Sequence, residues 1–390
     1  MKIKRRNYEK LNKVKVGDFV ELLYFCSICC ILVNVYFMYV RGVYSYISLV
    51  SKFGYVGLTL VIIYKRFKIS SFLEVILSVC VCVLVFIYAD NLILIKDLLI
   101  IVASKDINID KNLKFNFVVR TLMLLVIVTL FYLGKTDDYT MLRGDSVVRN
   151  GMGFGHPNTF AGVVFSVFMI WCYFKIKKMK WYDFGIGILL IGLIDGLCNS
   201  RTSEMVMAIA LFLMLIVQIK PKFFFCHIVK MFVYLEYFIL TILSMIAAYL
   251  YSIGNPIGIK LDTLLTGRLR LAGLFFKEYG ISLLGHRITF VSSRVAIQEN
   301  TLTWVLDNLY MYLLIHLGII VFVLVFVIIK KCIDILYTNK NVGGILVIVS
   351  YMIFGLAETG MIRFEYNAFL VLCTLVFSQK KVKKKLHIRV

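Results

Sequence analysis

Apolar residues along this chain gather in long, nearly uncharged runs separated by short polar turns. Crossing the roughly 30 Å hydrocarbon core of a membrane as a helix takes about 20 apolar residues, and helices are the spanning form that runs of this length permit. Twelve runs fit, at approximately 19–40, 43–64, 70–89, 90–104, 116–134, 158–175, 183–199, 203–219, 231–251, 306–329, 343–358 and 364–379. Lys96 and Asp97 interrupt the fourth, which is either a full span or a re-entrant segment. The pattern predicts an all-α, polytopic membrane protein of about twelve helices. It forms a single transmembrane domain over 1–390, with two long connections at 135–157 and 252–305.

Composition agrees with that reading. The chain is 61% hydrophobic and only 17% charged, far from the balance of a soluble globular domain. Its 44 Lys and Arg against 22 Asp and Glu would suggest a nucleic-acid partner in a soluble protein, but here the charges fall between apolar runs, so the bilayer is the expected partner. With the N-terminus inside, the cytoplasmic segments hold 29 Lys and Arg and the outer ones 12, which places both termini in the cytoplasm. The first apolar run is too long for a cleaved signal and reads as an uncleaved span. The ten cysteines show neither a disulfide framework nor a zinc spacing.

The long outer connections are where chemistry is expected, since structureless loops of that length are uncommon without a task. In the larger one, Leu264 to Tyr279 places Leu265, Leu269, Ala272, Phe275, Phe276 and Tyr279 at helical spacing, predicting an amphipathic helix along the membrane face. Arg268 and Arg270 at its start either fork onto a phosphate or meet lipid headgroups. Arg149 to Asn158 (RNGMGFGHPN) leads into the sixth run. Its glycines allow tight turns, and no strand or Lys-Ser/Thr makes it a nucleotide loop. Arg149 and His156 there face an anionic or sugar ligand, or His156 merely pairs with backbone, and Asn158 caps the helix. Arg201, in the turn Asn199 to Glu204, either meets a ligand or pairs with Glu204. Asp307, Asn308 and Tyr310 open the tenth run, the acid as a proton acceptor or a first-turn residue, the amide and phenol as donors to sugar hydroxyls. No acidic cluster supports a metal centre, and no Gly-x-Ser-x-Gly elbow supports serine catalysis.

In order, the segments Arg149–Asn158, Asn199–Thr202 (NSRT), Gly267–Arg287 (GRLRLAGLFFKEYGISLLGHR) and Asp307–Gly318 (DNLYMYLLIHLG) resemble those of the Wzy-type polymerases of bacterial capsule and exopolysaccharide synthesis, which are similar to the O-antigen ligases. The resemblance spans about residues 19–379 and rests on short motifs. It implies a GT-C-like glycosyltransferase in the bacterial cell membrane. Such an enzyme joins undecaprenyl-diphosphate-linked oligosaccharides at the outer face by inverting transfer, with no metal, nucleotide sugar or other cofactor. A flippase and a chain-length regulator are implied as partners. It places the family's outer arginines on Arg149, Arg201 and Arg268, followed by Arg270 and Arg287. With the residues read above, the expected catalytic set is Asp307, His156, Arg201 and Arg268, and Arg149, Asn158, Arg270, His286, Arg287, Asn308 and Tyr310 are expected to bind substrate. Ligases carry a His-Asn pair where this chain has Asp307-Asn308, so Asp307 and His156 both stand as candidates for the base. A flippase or transporter, a ligase-like transferase and a scaffolding subunit are the rival readings.

Overall fold

The computed structural model describes residues 2–137, 140–143, 147–265 and 267–377. Asp138 and the basic segment 380–390, which contributed to placing the C-terminus, lie outside them. The helices run α1 (Lys2–Phe37), α2 (Tyr44–Ile63), α3 (Ile69–Ala89), α4 (Ile93–Ala103) and α5 (Ile109–Tyr132), followed by a two-stranded antiparallel hairpin of β1 (Met141–Arg143) and β2 (Val147–Arg149). Then come α6 (Pro157–Lys175), α7 (Trp181–Cys198), α8 (Arg201–Ile219) and α9 (His227–Ser252). The long connection after α9 holds α10 (Pro256–Leu264), α11 (Arg268–Tyr279) and α12 (Ser293–Glu299). The chain closes with α13 (Leu309–Met311), α14 (Ile319–Thr338), α15 (Val342–Phe354) and α16 (Thr374–Phe377).

Among the described residues, eight helices are long and apolar enough to cross a membrane: the Gly17–Phe37 part of α1, then α2, α3, α5, α6, α7, α8 and α9. The chain is a multi-pass membrane protein. The other four expected spans are helical but shorter, broken or charged. α4 has 11 residues and α15 has 13, the twelfth run is a 3-10 segment, Ala368–Cys373, followed by the four residues of α16, and α14, which holds the second half of the tenth run, has 20 residues but carries Lys330, Lys331 and Asp334. The tenth run is interrupted by a π-helical turn, Tyr312–Leu317, ending at Gly318 with φ +88°. A Cβ on Gly318 would lie 2.5 Å from the Leu283 carbonyl oxygen, so only glycine lets the long connection pass there. Hydropathy counts apolar residues; it does not tell a full helix from a buried bend.

The alternate connections assemble at two ends of the bundle. At one end Val40 bridges Thr136, Arg41 pairs with Asp137 at 2.8 Å, Asn150 donates to the Leu197 carbonyl at 3.2 Å, and Asn91 donates to Tyr312 Oη at 2.8 Å. At the other, Lys105 donates to the Arg66 carbonyl at 2.7 Å and Asn341 to Tyr173 Oη at 3.1 Å. The most enclosed span is α6, with 61% of its apolar window buried against 17–39% for the rest, so it forms the axis around which the bundle packs. Phe165 on α6 stacks on Phe354 of α15 at 4.6 Å. Whatever stands at the start of α6 is therefore held by the best-packed part of the molecule.

α15 is about 20 Å long at 1.5 Å per residue, short of a full crossing, and the chain then continues as an irregular connection over 355–367. Irregular backbone next to the apolar zone is tolerated only where protein pairs its polar groups. Two helices supply the partners. Arg120 of α5, fully buried, donates to the carbonyls of Phe364 at 2.7 Å and Glu365 at 2.5 Å, while its Nε donates to Asn116 at 3.2 Å. Asp97 of α4 accepts the Phe364 N–H at 3.1 Å. The interruption of the fourth run and the lone arginine of the fifth thus fix one loop from two sides.

Candidate functional site

That loop forms one wall of a polar cavity of about 360 Å³ at the end of the bundle that carries the long connections. Glu358, Thr359, Gly360, Arg363 and Tyr366 come from it. Tyr39, Gly155, His156, Asn158 and Thr159 come from the approach to α6. Ser292, Ser293, Asp307 and Tyr312 come from the region between α11 and α14. Gly155 has φ +67°, and a Cβ there would sit 2.5 Å from the Tyr39 ring, which explains a glycine where Tyr39 closes the wall.

A hydrogen-bonded chain runs behind this wall. Arg149, at the end of β2, donates from Nε to the Cys198 carbonyl at 2.8 Å and from Nη2 to Asn158 Oδ1 at 2.6 Å. Asn158 in turn donates from Nδ2 to Glu358 Oε1 at 3.1 Å. Arg268, the first residue of α11, donates from Nη2 to the same oxygen at 2.7 Å, and its Nε stands 3.5 Å from Asp307 Oδ2. Asp307 and Glu358 thus share one guanidinium, and three chain segments far apart in sequence meet on a single carboxylate. Burial pushes the Glu358 carboxyl up to about 7; Arg268 pulls against this and the Asp307 charge adds to it.

His156 has two duties. It is the N-cap of α6, its Nδ1 accepting the Asn158 N–H at 3.1 Å, and it lines the cavity. Because Nδ1 is the acceptor, the proton of the neutral ring sits on Nε2, and the ring offers the cavity a donor. Burial, with Arg149 and Arg268 nearby, holds its conjugate acid down to about 4. His156 is poorly suited to accept a proton, since doing so would give up its cap.

The other expected site residues divide. Arg149, Asn158, His156, Arg268 and Asp307 are brought together. Asn158 is not the cap of α6 but its second residue, and its side chain links Arg149 to Glu358. Asn308 and Tyr310 are turned inward, against the expectation that they meet sugar. Asn308 donates to Ser244 Oγ and the Leu356 carbonyl, both at 2.9 Å, and accepts the Met311 N–H; Tyr310 donates to the Met352 carbonyl at 2.7 Å. Their polar groups hold α13 against α9 and the end of α15. Arg201 is exposed at the start of α8, and Arg270 is exposed on α11, its backbone N–H donating to Asp262; neither lines the cavity. Arg287 is exposed and 3.5 Å from Asp90. His286 lies beside Tyr279, its carbonyl accepting from His316 Nδ1 at 2.9 Å. The amphipathic helix exists but starts at Arg268 rather than Leu264, because Gly267 turns the chain at φ +82°. Its face of Leu269, Ala272 and Phe275 is buried against protein, Phe275 lying 4.3 Å from the Trp304 ring.

Sequence reasoning missed Glu358, Arg363 and Tyr366. Arg363 Nε is buried with no hydrogen bond among the described residues, yet the side chain lines the cavity. Among the described residues no three His, Cys, Asp or Glu side chains group as metal ligands. A scan of protein-family models, a search of curated proteins and a search of solved structures each return no match to this chain.

Proposed function

We propose that this chain is a GT-C-like glycosyltransferase of the bacterial cell membrane, polymerising undecaprenyl-diphosphate-linked oligosaccharide repeat units into a capsular or exopolysaccharide by metal-independent, inverting transfer. The cavity end of the bundle faces outward in this reading, and both termini are cytoplasmic. One observation carries it: a polar cavity at the mouth of an apolar bundle holds a guanidinium, Arg363, together with two carboxylates that share a second guanidinium, Arg268. A departing diphosphate develops negative charge, which preplaced guanidinium groups stabilise strongly where water is scarce. The attacking sugar hydroxyl must lose a proton, which a carboxylate accepts.

An apolar groove beside the cavity supports the same reading. Between α9 and α11 lies an apolar groove of about 590 Å³ lined by Met245, Ile246, Tyr249, Gly273 and Phe276, with Lys277 among its residues. Gly273 keeps the two helices close, since a Cβ there would approach the Ala248 carbonyl oxygen to 3.2 Å. In this reading the groove takes the isoprenoid chain of the lipid-linked substrate. The buried polar residues Asp97 and Arg120, which a transporter reading would enlist at mid-membrane, are instead engaged with the 364–365 backbone.

Purified protein supplied with lipid-linked repeat units and no nucleotide sugar tests the proposal. A ladder of products that persists in a chelator is the expected result. Movement of intact repeat units across a vesicle without lengthening would refute it in favour of a flippase, and a ladder lost to chelator and restored by a divalent cation would refute the arginine mechanism.

A further inference from the structure

Three groups on the cavity wall are chemically able to take a proton: His156, Asp307 and Glu358. His156 uses Nδ1 to cap α6 and presents a donor. Asp307 is the most open of the carboxylates, its side chain 36% exposed against 20% for Glu358, and its link to Arg268 is the longer, at 3.5 Å. Glu358 receives both of its hydrogen bonds, from Asn158 and Arg268, on Oε1, and Oε2 accepts none among the described residues. One oxygen anchors the side chain and the other is left for the cavity.

We propose that Glu358 accepts the proton of the attacking hydroxyl while Asp307 holds Arg268 in position, an assignment that rests on the polymerase reading above. As the hydroxyl oxygen bonds to the anomeric carbon, the bond from that carbon to the diphosphate oxygen breaks. The electron pair departs with the diphosphate, and the hydroxyl proton passes to Glu358 Oε2. No further reactant is required.

The surroundings suit the task. Glu358 is faced by Arg268 of α11, by Asp307, by Arg149 of β2 through Asn158, by Arg363 and Tyr366 of its own loop and by His156 across the cavity. Burial holds the carboxyl at about 7, where the empty cavity keeps a substantial carboxylate fraction that is more basic than an ordinary one. A diphosphate arriving in the same cavity adds negative charge and raises the carboxyl's proton affinity further, so the carboxylate is free in the substrate complex only at a pH above its value in the empty cavity.

The experiment needs no knowledge of the sugar. Undecaprenyl diphosphate is titrated into wild type, Glu358→Gln and Asp307→Asn, and proton uptake on binding is read from calorimetry in buffers of different ionisation heat. Near pH 7 wild type takes up more protons than Glu358→Gln, since the carboxyl is only partly protonated before binding. Asp307→Asn keeps an uptake, shifted to lower pH because the Asp307 charge no longer raises the Glu358 carboxyl. Equal uptake in wild type and Glu358→Gln, or its loss in Asp307→Asn alone, overturns the assignment and leaves the polymerase reading standing. Failure of wild type to bind undecaprenyl diphosphate overturns both. With lipid-linked repeat units as substrate, Glu358→Gln lowers turnover by about 10²- to 10⁴-fold and removes the rise of kcat/KM through pH 7, where the carboxyl of the free enzyme titrates, whereas Glu358→Asp recovers part of it. Persistence of that rise in Glu358→Gln, with diphosphate binding intact, also overturns the assignment.

Discussion

Replacing Glu358 by Gln has a consequence for stability that is independent of any activity. The folded protein holds this carboxyl at about 7 against an ordinary 4.5, because burial penalises its charge more than Arg268 relieves it. A raised folded value means that the native state binds the proton more tightly than the unfolded chain. The contribution is therefore full below about 4.5 and is lost as pH rises through about 7. At 1.36 kcal/mol per unit, the difference amounts to about 3 kcal/mol across that window, most of it between pH 5 and pH 8. Gln is uncharged throughout and keeps an oxygen for Asn158 and Arg268. Relative to wild type, Glu358→Gln should gain stability as pH rises, by an amount on the order of 2–3 kcal/mol between pH 5 and pH 8.

Thermal unfolding of both proteins in one detergent, from pH 5 to pH 8, measures this. His156 titrates in the opposite sense: its depressed value gives stability above its ordinary 6.5 that is lost as pH falls toward about 4. It does so in both proteins, so the difference between the two curves isolates Glu358. A melting-temperature difference that is constant with pH, or that favours wild type increasingly at pH 8, would refute the claim that Glu358 is held against its charge.

The remaining predictions address the arginines, the orientation and the loop clamp. Arg268→Lys and Arg363→Lys should each slow polymerisation by roughly 10²- to 10³-fold, because an ammonium does not fork, whereas Arg201→Lys should stay close to wild type; the reverse ranking in a ladder assay would place the chemistry at α8. An impermeant thiol reagent should label Lys277→Cys on intact cells, while the exposed native Cys226 at the opposite end reacts only after permeabilisation; labelling in the opposite order would invert the topology. Arg120→Gln should lower stability by about 2–5 kcal/mol, since two loop carbonyls lose a charged donor, and unfolding curves within about 0.5 kcal/mol of wild type would show that the clamp is idle.

The bundle was legible in the sequence because lipid imposes one rule on every span. Each long helix must be apolar over most of its length, so α2, α3 and α5 to α9 appear in the hydropathy pattern with little help from tertiary structure. The failures sit where protein replaces lipid as the neighbour. α15 and the turn at Ala368–Cys373 are buried inside the bundle, so their residues are as apolar as those of a span while the backbone is free to bend. Asn308 and Tyr310 misled for a related reason. Polar side chains at a helix start suit a sugar as well as they suit a neighbouring carbonyl, and only the packing of α13 on α9 and the end of α15 decides between the two.

The site shows the same boundary from the other side. Arg149, His156, Asn158, Arg268 and Asp307 were visible because they flank long hydrophilic connections, where polar residues stand out. Glu358 and Arg363 border apolar runs and look like ordinary interruptions at their ends. What places them is long-range: Asp97 and Arg120 lie more than 240 positions away and hold the loop by its backbone. A charge inside a membrane run needs a partner, and neither Asp97 nor Arg120 has an opposite charge one helical turn away. Only Lys96, the immediate neighbour of Asp97, offers one locally, and successive residues on a helix do not face each other. That absence was the available signal. It required a distant segment able to satisfy a buried acid and a buried arginine together, and an irregular stretch with unpaired N–H and carbonyl groups is such a segment. The two intramembrane charges point to the loop that carries the cavity, and the loop in turn carries the two side chains that hydropathy hid.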